Sequence, residues 1–203
     1  MEYKTEQEKF WAEEFGDEYS QRNTSIIKSN INFFSKVFSR VDNVNSVIEF
    51  GSNIGMNLHA LNTISNLEIS AIEINKTAVN ELQKLDFLKK VYNESLLDIN
   101  LDKKFDMTFI KGVLIHINPE YLDVVYEKLY NYSNRYILVA EYYNPTPVEI
   151  PYRGNEGKLF KRDFAGEILD KYDDLELVDY GFLYHRDNNF PQDDISWFLL
   201  EKR

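Results

Sequence analysis

Two acidic residues and two glycines are spaced as a nucleotide-like ligand would require. In Ser46-Val47-Ile48-Glu49-Phe50-Gly51-Ser52-Asn53-Ile54-Gly55 an apolar run stops at Gly51, and an amphipathic segment starts near Gly55. That is a buried strand turning sharply into a helix. Gly51 admits a tight turn with φ > 0, and Gly55 lets the helix start press close to a strand or a ligand. Free N–H groups at such a start attract an anionic or polar group. Glu73 closes a second apolar run, residues 67–74, and lies 22 residues beyond Gly51. A carboxylate there is placed to hold a ribose diol, because it accepts two hydroxyl hydrogen bonds at once. Each feature alone also has a plain structural reading, as an ordinary turn or a solvated strand-end glutamate. Their spacing together favours a ligand.

Other chemically capable residues fall where further apolar runs end. Ser95 and Leu96 follow residues 87–92, Lys111 follows 105–110, His116 comes five residues later, and Glu141 closes 135–141. A histidine titrates near pH 6.5 when unperturbed, which makes His116 the first candidate for a general base. It reads equally as a structural histidine, and Glu141 competes for the role.

The elements that must position these groups alternate. Residues 26–38 carry apolar positions at helical spacing, with Thr24 and Ser25 as candidate caps. Helices over 55–65, 75–85 and from Pro119 to 132 alternate with strands at 46–50, 67–74, 87–92, 105–110 and 135–141. That pattern predicts an α/β fold with a parallel sheet covered on both faces. Ligands bind such sheets outside the carboxyl ends of the strands. A helix at 164–172 and strands at 176–184 and 195–201 predict an antiparallel edge.

Two segments stand apart. Residues 1–23 are charged but set with Phe10, Trp11, Phe15 and Tyr19 at near-helical spacing, and Gly16 is expected to break the helix. They form either a helical cap on the core or a lid over the ligand, with Tyr19 and Arg22 offering a phenol and a guanidinium to a carboxylate. Residues 142–163 hold three of the five prolines, two glycines and four basic residues. A loop that long in a compact domain is functional or disordered, and its aromatics argue against disorder.

Composition sets the outer bounds. The chain has 203 residues, 43% of them hydrophobic, and carries a net charge of −11. A single domain of 1–203 is expected, with 1–40 as an N-terminal helical cap and 142–163 as an acceptor-side loop. It is long enough to bury roughly 70% of its unfolded surface. So acidic a chain repels phosphate backbones, so no nucleic-acid partner is expected. It has no cysteine, which excludes thiolate metal sites and suits a reducing compartment. No run approaches the ~18 apolar residues of a membrane span. A cytoplasmic protein without metal or membrane partner is the expectation, with oligomeric state left open.

The turn Glu49-Phe50-Gly51…Gly55, acidic Glu73, and Phe105-Asp106…Gly112-Val113-Leu114-Ile115-His116-Ile117 resemble the Rossmann-like S-adenosylmethionine (SAM)-dependent methyltransferases. The flanks narrow this. Phe10-Trp11…Arg22-Asn23, Glu141-Tyr142-Tyr143-Asn144-Pro145-Thr146-Pro147, Tyr152-Arg153-Gly154 and Leu159-Phe160-Lys161-Arg162-Asp163-Phe164-Ala165-Gly166 are similar to methyltransferases associated with pseudaminic acid biosynthesis. The resemblance implies a seven-stranded sheet ordered 3-2-1-4-5-7-6 with the last strand antiparallel, helices on both faces and an N-terminal helical lid. It also implies SAM, with Gly51, Ser52, Asn53 and Gly55 against its methionine part. Glu73 and Ile74 then serve the ribose, and Ser95 and Leu96 the adenine, with Lys111, Trp11, Tyr19 and Arg22 around them. The departure is Asn53, where the family usually has a glycine.

The acceptor implied is a small, sugar-like molecule, a nonulosonic acid or its nucleotide-linked precursor. Tyr143, Asn144, Tyr152, Arg153, Lys161 and Arg162 are the candidates for its wall, where guanidinium groups can clamp a carboxylate or phosphate. Two other classes stand beside this reading. A dinucleotide-dependent oxidoreductase shares the turn and Glu73 but usually carries Gly-x-Gly-x-x-Gly, absent here. A non-catalytic binding module keeps the cofactor fold without turnover.

Overall fold

The computed structural model describes residues 2–22 and 27–203, and the side chains of all of these except residues 21 and 22. The proposed caps Thr24 and Ser25, and the side chain of Arg22, therefore lie outside the described residues.

The chain opens with α1 (Glu6–Ala12) and α2 (Glu14–Arg22). A reciprocal cap starts α1: Thr5 accepts from Glu8 N, and the Glu8 carboxylate accepts from Thr5 N at 3.0 Å. The break between the helices falls at Glu13, whose backbone is extended, and not at Gly16, which sits inside α2. Gly16 serves close approach instead. A Cβ there would stand 1.9 Å from the Trp11 carbonyl oxygen, so only glycine lets the helices fold against each other.

The remainder runs α3 (Ile27–Phe38), β1 (Ser46–Phe50), α4 (Met56–Ile64), β2 (Glu68–Ile72), α5 (Lys76–Leu82), β3 (Leu88–Tyr92) and β4 (Phe105–Lys111). Then come α6 (Leu122–Asn131), β5 (Ser133–Glu141), β6 (Val148–Glu149), β7 (Phe160–Lys161), α7 (Phe164–Lys171), β8 (Leu175–Leu183) and β9 (Ile195–Lys202). Seven strands form one sheet in the order β3-β2-β1-β4-β5-β9-β8. The first five are mutually parallel, and β9 runs antiparallel to both neighbours. Leaving out the small β6–β7 pair, this is the expected 3-2-1-4-5-7-6.

The strands read as continuous apolar runs because both sheet faces are covered. Alternate side chains feed two cores. Ile48, Phe50, Ile110 and Val139 pack with Val125 and Leu129 of α6 and Ile168 of α7. Val47, Met107, Phe109 and Leu138 pack on the other face with Phe33 and Phe34 of α3 and Leu58 and Leu61 of α4. Glu49 shares the parity of Val47, so it points to the α3–α4 face and is completely buried.

The segment 142–163 is an ordered arm, not an open loop. β6 and β7 pair antiparallel, Ile150 N donates to Leu159 O at 2.9 Å, and Leu159 is buried in the first core. The helix expected from Pro119 begins as a single 3₁₀ turn, Pro119–Tyr121, before α6 takes over.

Candidate functional site

The carboxyl ends of β1, β2 and β4 open into a cavity of about 1230 Å³, mouth included, with α1 and α2 as its opposite wall. Gly51, Ser52, Asn53, Glu73, Ile74, Ser95, Leu96, Lys111, His116, Trp11 and Tyr19 all line it. Residues far apart in sequence are thus brought to one surface.

Its floor is the turn after β1. Gly51 has φ 81° and Gly55 φ 83°, both in the left-handed region. Both Gly51 N and Ser52 N donate to Ile72 O, at 2.9 and 3.0 Å, which closes the turn onto β2. Asn53 has φ 45°, a conformation that asparagine tolerates better than most side chains. Its backbone N–H donates to Glu73 Oε2 at 2.7 Å, while its side-chain Oδ1 accepts from Ser20 of α2 at 2.7 Å. The residue that departs from the family pattern therefore joins turn and lid.

Glu73 is buried at the cavity wall, and its other oxygen accepts from Asn75 N at 2.8 Å. Burial pushes its pKa up, against the pull of these backbone N–H groups. A carboxylate has about four acceptor positions, so two remain for a ligand. Asn75 caps α5 through its Oδ1 and uses its Nδ2 on Asp17 Oδ1 at 2.9 Å, holding α2 to the core. At the far end Ser95 donates to Glu8 of α1, and Lys4 pairs with Asp98.

A buried charge cluster lies beneath the floor. Glu49 Oε1 accepts from Asn57 Nδ2 at 2.6 Å, while Glu49 Oε2 and Asn57 Oδ1 have no partner. Burial drives the Glu49 pKa up to about 8. Lys111 sits among Glu49, Asp193 and Glu141, and desolvation lowers its pKa against their attraction. Glu141 is pushed up to about 7 by burial; its Oε1 accepts from Val113 N and Leu114 N, both at 2.9 Å. It stands behind the cavity wall, clamping the segment that carries His116.

His116 Nδ1 lies 2.6 Å from Lys158 O. A carbonyl oxygen only accepts, so Nδ1 carries the proton and Nε2 the lone pair. Burial lowers the pKa to about 4, so the ring is neutral. Trp11 and Tyr152 flank it, with centroids at 4.5 and 4.8 Å.

Of the expected acceptor wall, Tyr152 touches the site through His116 and through Phe15 of α2. All six lie off the cavity wall itself. Tyr143 packs near Phe198, Asn144 Nδ2 donates to Thr146 O at 2.6 Å, and Arg162 pairs with Glu167 at 3.2 Å. Arg153 lies over the Tyr152 ring and Lys161 over the Tyr142 ring. Several wall residues carried no sequence expectation: Glu8, Ser20, Asn57 and Asn75. For Glu8 there was a signal, since Thr5-x-x-Glu8 has the capping-box form. Asn75 has a local signal too, as the N-cap of α5, but its bond to Asp17 and that of Ser20 to Asn53 are long-range and leave none.

Among the described residues no cluster of three or more histidine or acidic side chains suits a metal ion, and no helix is long and apolar enough to cross a membrane.

No family model matches the sequence, and no curated protein matches it either. Solved structures do. A SAM-dependent methyltransferase of Leishmania major superposes with TM-score 0.71 at 13% identity, over 97% of this chain and 81% of that one. The Burkholderia thailandensis 1,6-didemethyltoxoflavin-N1-methyltransferase, solved with 1,6-didemethyltoxoflavin and S-adenosylhomocysteine, gives 0.70 at 9%, over 97% and 86%. The glycopeptide N-methyltransferase MtfA with S-adenosylhomocysteine gives 0.66 at 11%, over 87% and 90%. The fold is the Rossmann-like methyltransferase fold. At such low identity the likeness establishes fold, and the site must argue for itself.

Proposed function

We propose that this chain is an enzyme that transfers a methyl group from SAM to a small polar acceptor. The observation that carries this is the position of Glu73. It stands at the end of β2, on the same cavity as the Gly51–Gly55 turn and Ser95–Leu96, with acceptor positions to spare. The fit to SAM is good on three counts. The backbone turn is tight enough that a Cβ on Gly51 would meet Val113 at 2.7 Å. Carboxylate and hydroxyl lie at separate points for ribose and adenine. Orphaned acceptors, Glu49 Oε2 and Asn57 Oδ1, await donors near the floor.

In this reading Gly51, Ser52 and Asn53 hold the methionine part, Glu73 and Ile74 the ribose, and Ser95 and Leu96 the adenine, while Gly55 lies off the cavity wall against Leu82 and Leu85 and shapes the turn. Trp11, Tyr19 and Lys111 close the remaining wall. The sulfonium supplies an already activated methyl, so the protein chiefly aligns the acceptor and excludes water. α1 and α2 exclude water, being fastened to Ser95, Asn75 and Asn53 on one side and to the arm 142–163 on the other. Gln7 Nε2 donates to Gly157 O at 2.9 Å on that second side. His116 accepts a hydrogen bond from the acceptor through Nε2 and orients it, and Glu141 holds its segment in place.

The flanking motifs support a finer reading, in which the acceptor is a sugar-like molecule of the nonulosonic type or its nucleotide-linked precursor. Tyr152 is the expected acceptor residue best placed for it. Titration calorimetry with SAM and with NAD tests the cofactor. Tight SAM binding and no NAD binding is expected; the reverse would point to an oxidoreductase. Release of S-adenosylhomocysteine with acceptor present separates an enzyme from a binding module.

A further inference from the structure

We propose that the methyl acceptor is an amine, a small molecule whose reacting nitrogen enters this cavity and leaves methylated. The inference rests on the methyl-transfer reading of the same cavity and departs from the nonulosonic-acid reading of the acceptor, whose carboxylate this wall disfavours.

The cations are the first argument. An acidic acceptor needs a guanidinium or ammonium to receive it, and the arm 142–163 has both kinds. Each is engaged elsewhere. Arg162 pairs with Glu167 at 3.2 Å, and Lys158 lies 3.5 Å from Glu6 and over the Phe10 ring. Arg153 and Lys161 lie over tyrosine rings outside the cavity wall. Among the described residues the cation on the wall is Lys111, and Glu49, Asp193 and Glu141 surround it. Lys111 is desolvated and already faces carboxyl groups, so it offers little positive field to an incoming anion.

The second argument is the wall itself. Glu8, Glu73 and Glu94 line the cavity. Such a lining draws in a cation and repels a carboxylate. Trp11, 4.5 Å from His116 and 5.2 Å from Tyr19 between ring centroids, makes the inner end of the cavity aromatic. The same rings remove water, and desolvation favours the neutral, nucleophilic amine over the ammonium.

Hydrogen bonding is the third. His116 Nε2, beside Trp11, is a lone pair apart from the orphans near the floor that the cofactor reading uses. An amine supplies an N–H donor to such a lone pair. Trp11 Nε1 is an orphan donor on the same wall, and suits a hydroxyl or carbonyl oxygen elsewhere on the molecule.

The step balances without another reactant. The amine reacts as R–NH₂, its extra proton lost to solvent on leaving water, and turns an N–H to His116 Nε2. The freed nitrogen pair forms the N–C bond, the C–S bond breaks, and its electron pair stays on sulfur. The products are R–NH₂⁺–CH₃ and S-adenosylhomocysteine.

The test uses the full chain, SAM carrying a ¹³C-labelled methyl, and a small-molecule extract of the cells that make the protein. SAM binding is measured by calorimetry on the same preparation. The expected product shows a nitrogen-bound methyl by its carbon resonance, and acetylating the amines of the extract beforehand abolishes it. A methyl ether or methyl ester overturns the amine assignment and leaves methyl transfer standing. Failure to bind SAM overturns the methyl-transfer reading and the amine assignment with it. SAM binding without any labelled small molecule overturns catalysis on a small acceptor, the amine included.

Discussion

Ser20 of α2 hydrogen-bonds Asn53 at 2.7 Å, so the turn after β1 holds the lid through the side chain of its own central residue. A glycine at 53 would suit φ 45° as well or better, yet would have no side chain to offer Ser20. The asparagine exchanges backbone freedom for a latch.

That exchange is testable. Asn53→Gly and Ser20→Ala should each weaken SAM binding by about 0.5–1.5 kcal/mol, the net worth of one hydrogen bond. The double variant should cost little more than either alone, because the partners share one interaction. Calorimetry on the four proteins decides it. Additive losses would mean the two residues act separately.

Glu73 has two tasks, and its variants should separate them. Glu73→Ala removes the ribose acceptor and leaves Asn53 N and Asn75 N without partners, so SAM affinity and apo stability should both fall. Glu73→Gln keeps one acceptor oxygen and lowers affinity less, with a loss of about 1.5–3 kcal/mol expected for the alanine. Equal SAM affinity in Glu73→Ala and wild type, with the fold intact by circular dichroism, would remove Glu73 from the site.

The sheet was legible because parallel strands buried on both faces leave unmistakable apolar runs, and Glu73 because its distance from Gly51 is set by one βαβ unit. The arm 142–163 was not. β6 and β7 are two residues each, and what orders them is the docking of Leu159 in the core and of Tyr152 on Phe15 and His116. Among its cations Lys158 has partners, Glu6 and Phe10, about 150 residues away, while Arg153, Lys161 and Arg162 meet Tyr152, Tyr142 and Glu167 closer by. Long-range pairing of that kind leaves no local signature. Gly16 misled for a related reason, since the tolerance of a helix for glycine depends here on the neighbouring helix.

Glu49 predicts an unusual pH dependence. Its folded pKa of about 8 lies above the ordinary 4.5, so the folded protein binds this proton more tightly than the unfolded chain. The stability it confers is fully present below pH 4.5 and is lost as pH rises through about 8. Glu141, raised to about 7, adds to the same trend. Urea midpoints should therefore fall across this window by more in wild type than in Glu49→Gln, which cannot ionise. Parallel curves would show that Glu49 does not titrate there.

His116 offers a substitution that separates geometry from chemistry. The Nδ1–H bond to Lys158 O holds the ring, while Nε2 carries the lone pair assigned to orienting the acceptor. Asparagine places its amide N–H near the Nδ1 position and has nothing at Nε2. His116→Asn should therefore keep the contact to the arm, with SAM affinity close to wild type and a small change in melting temperature. Turnover should fall by about 10²-fold, the order expected when the acceptor loses its alignment. His116→Ala loses the contact as well, so its melting temperature should drop and the arm should become more open to proteolysis. Labelled-methyl transfer into extract, measured for both variants, gives the decisive comparison. If His116→Asn turns over like wild type while His116→Ala is unstable, the histidine is a strut between the arm and the sheet, and the acceptor is oriented by other groups.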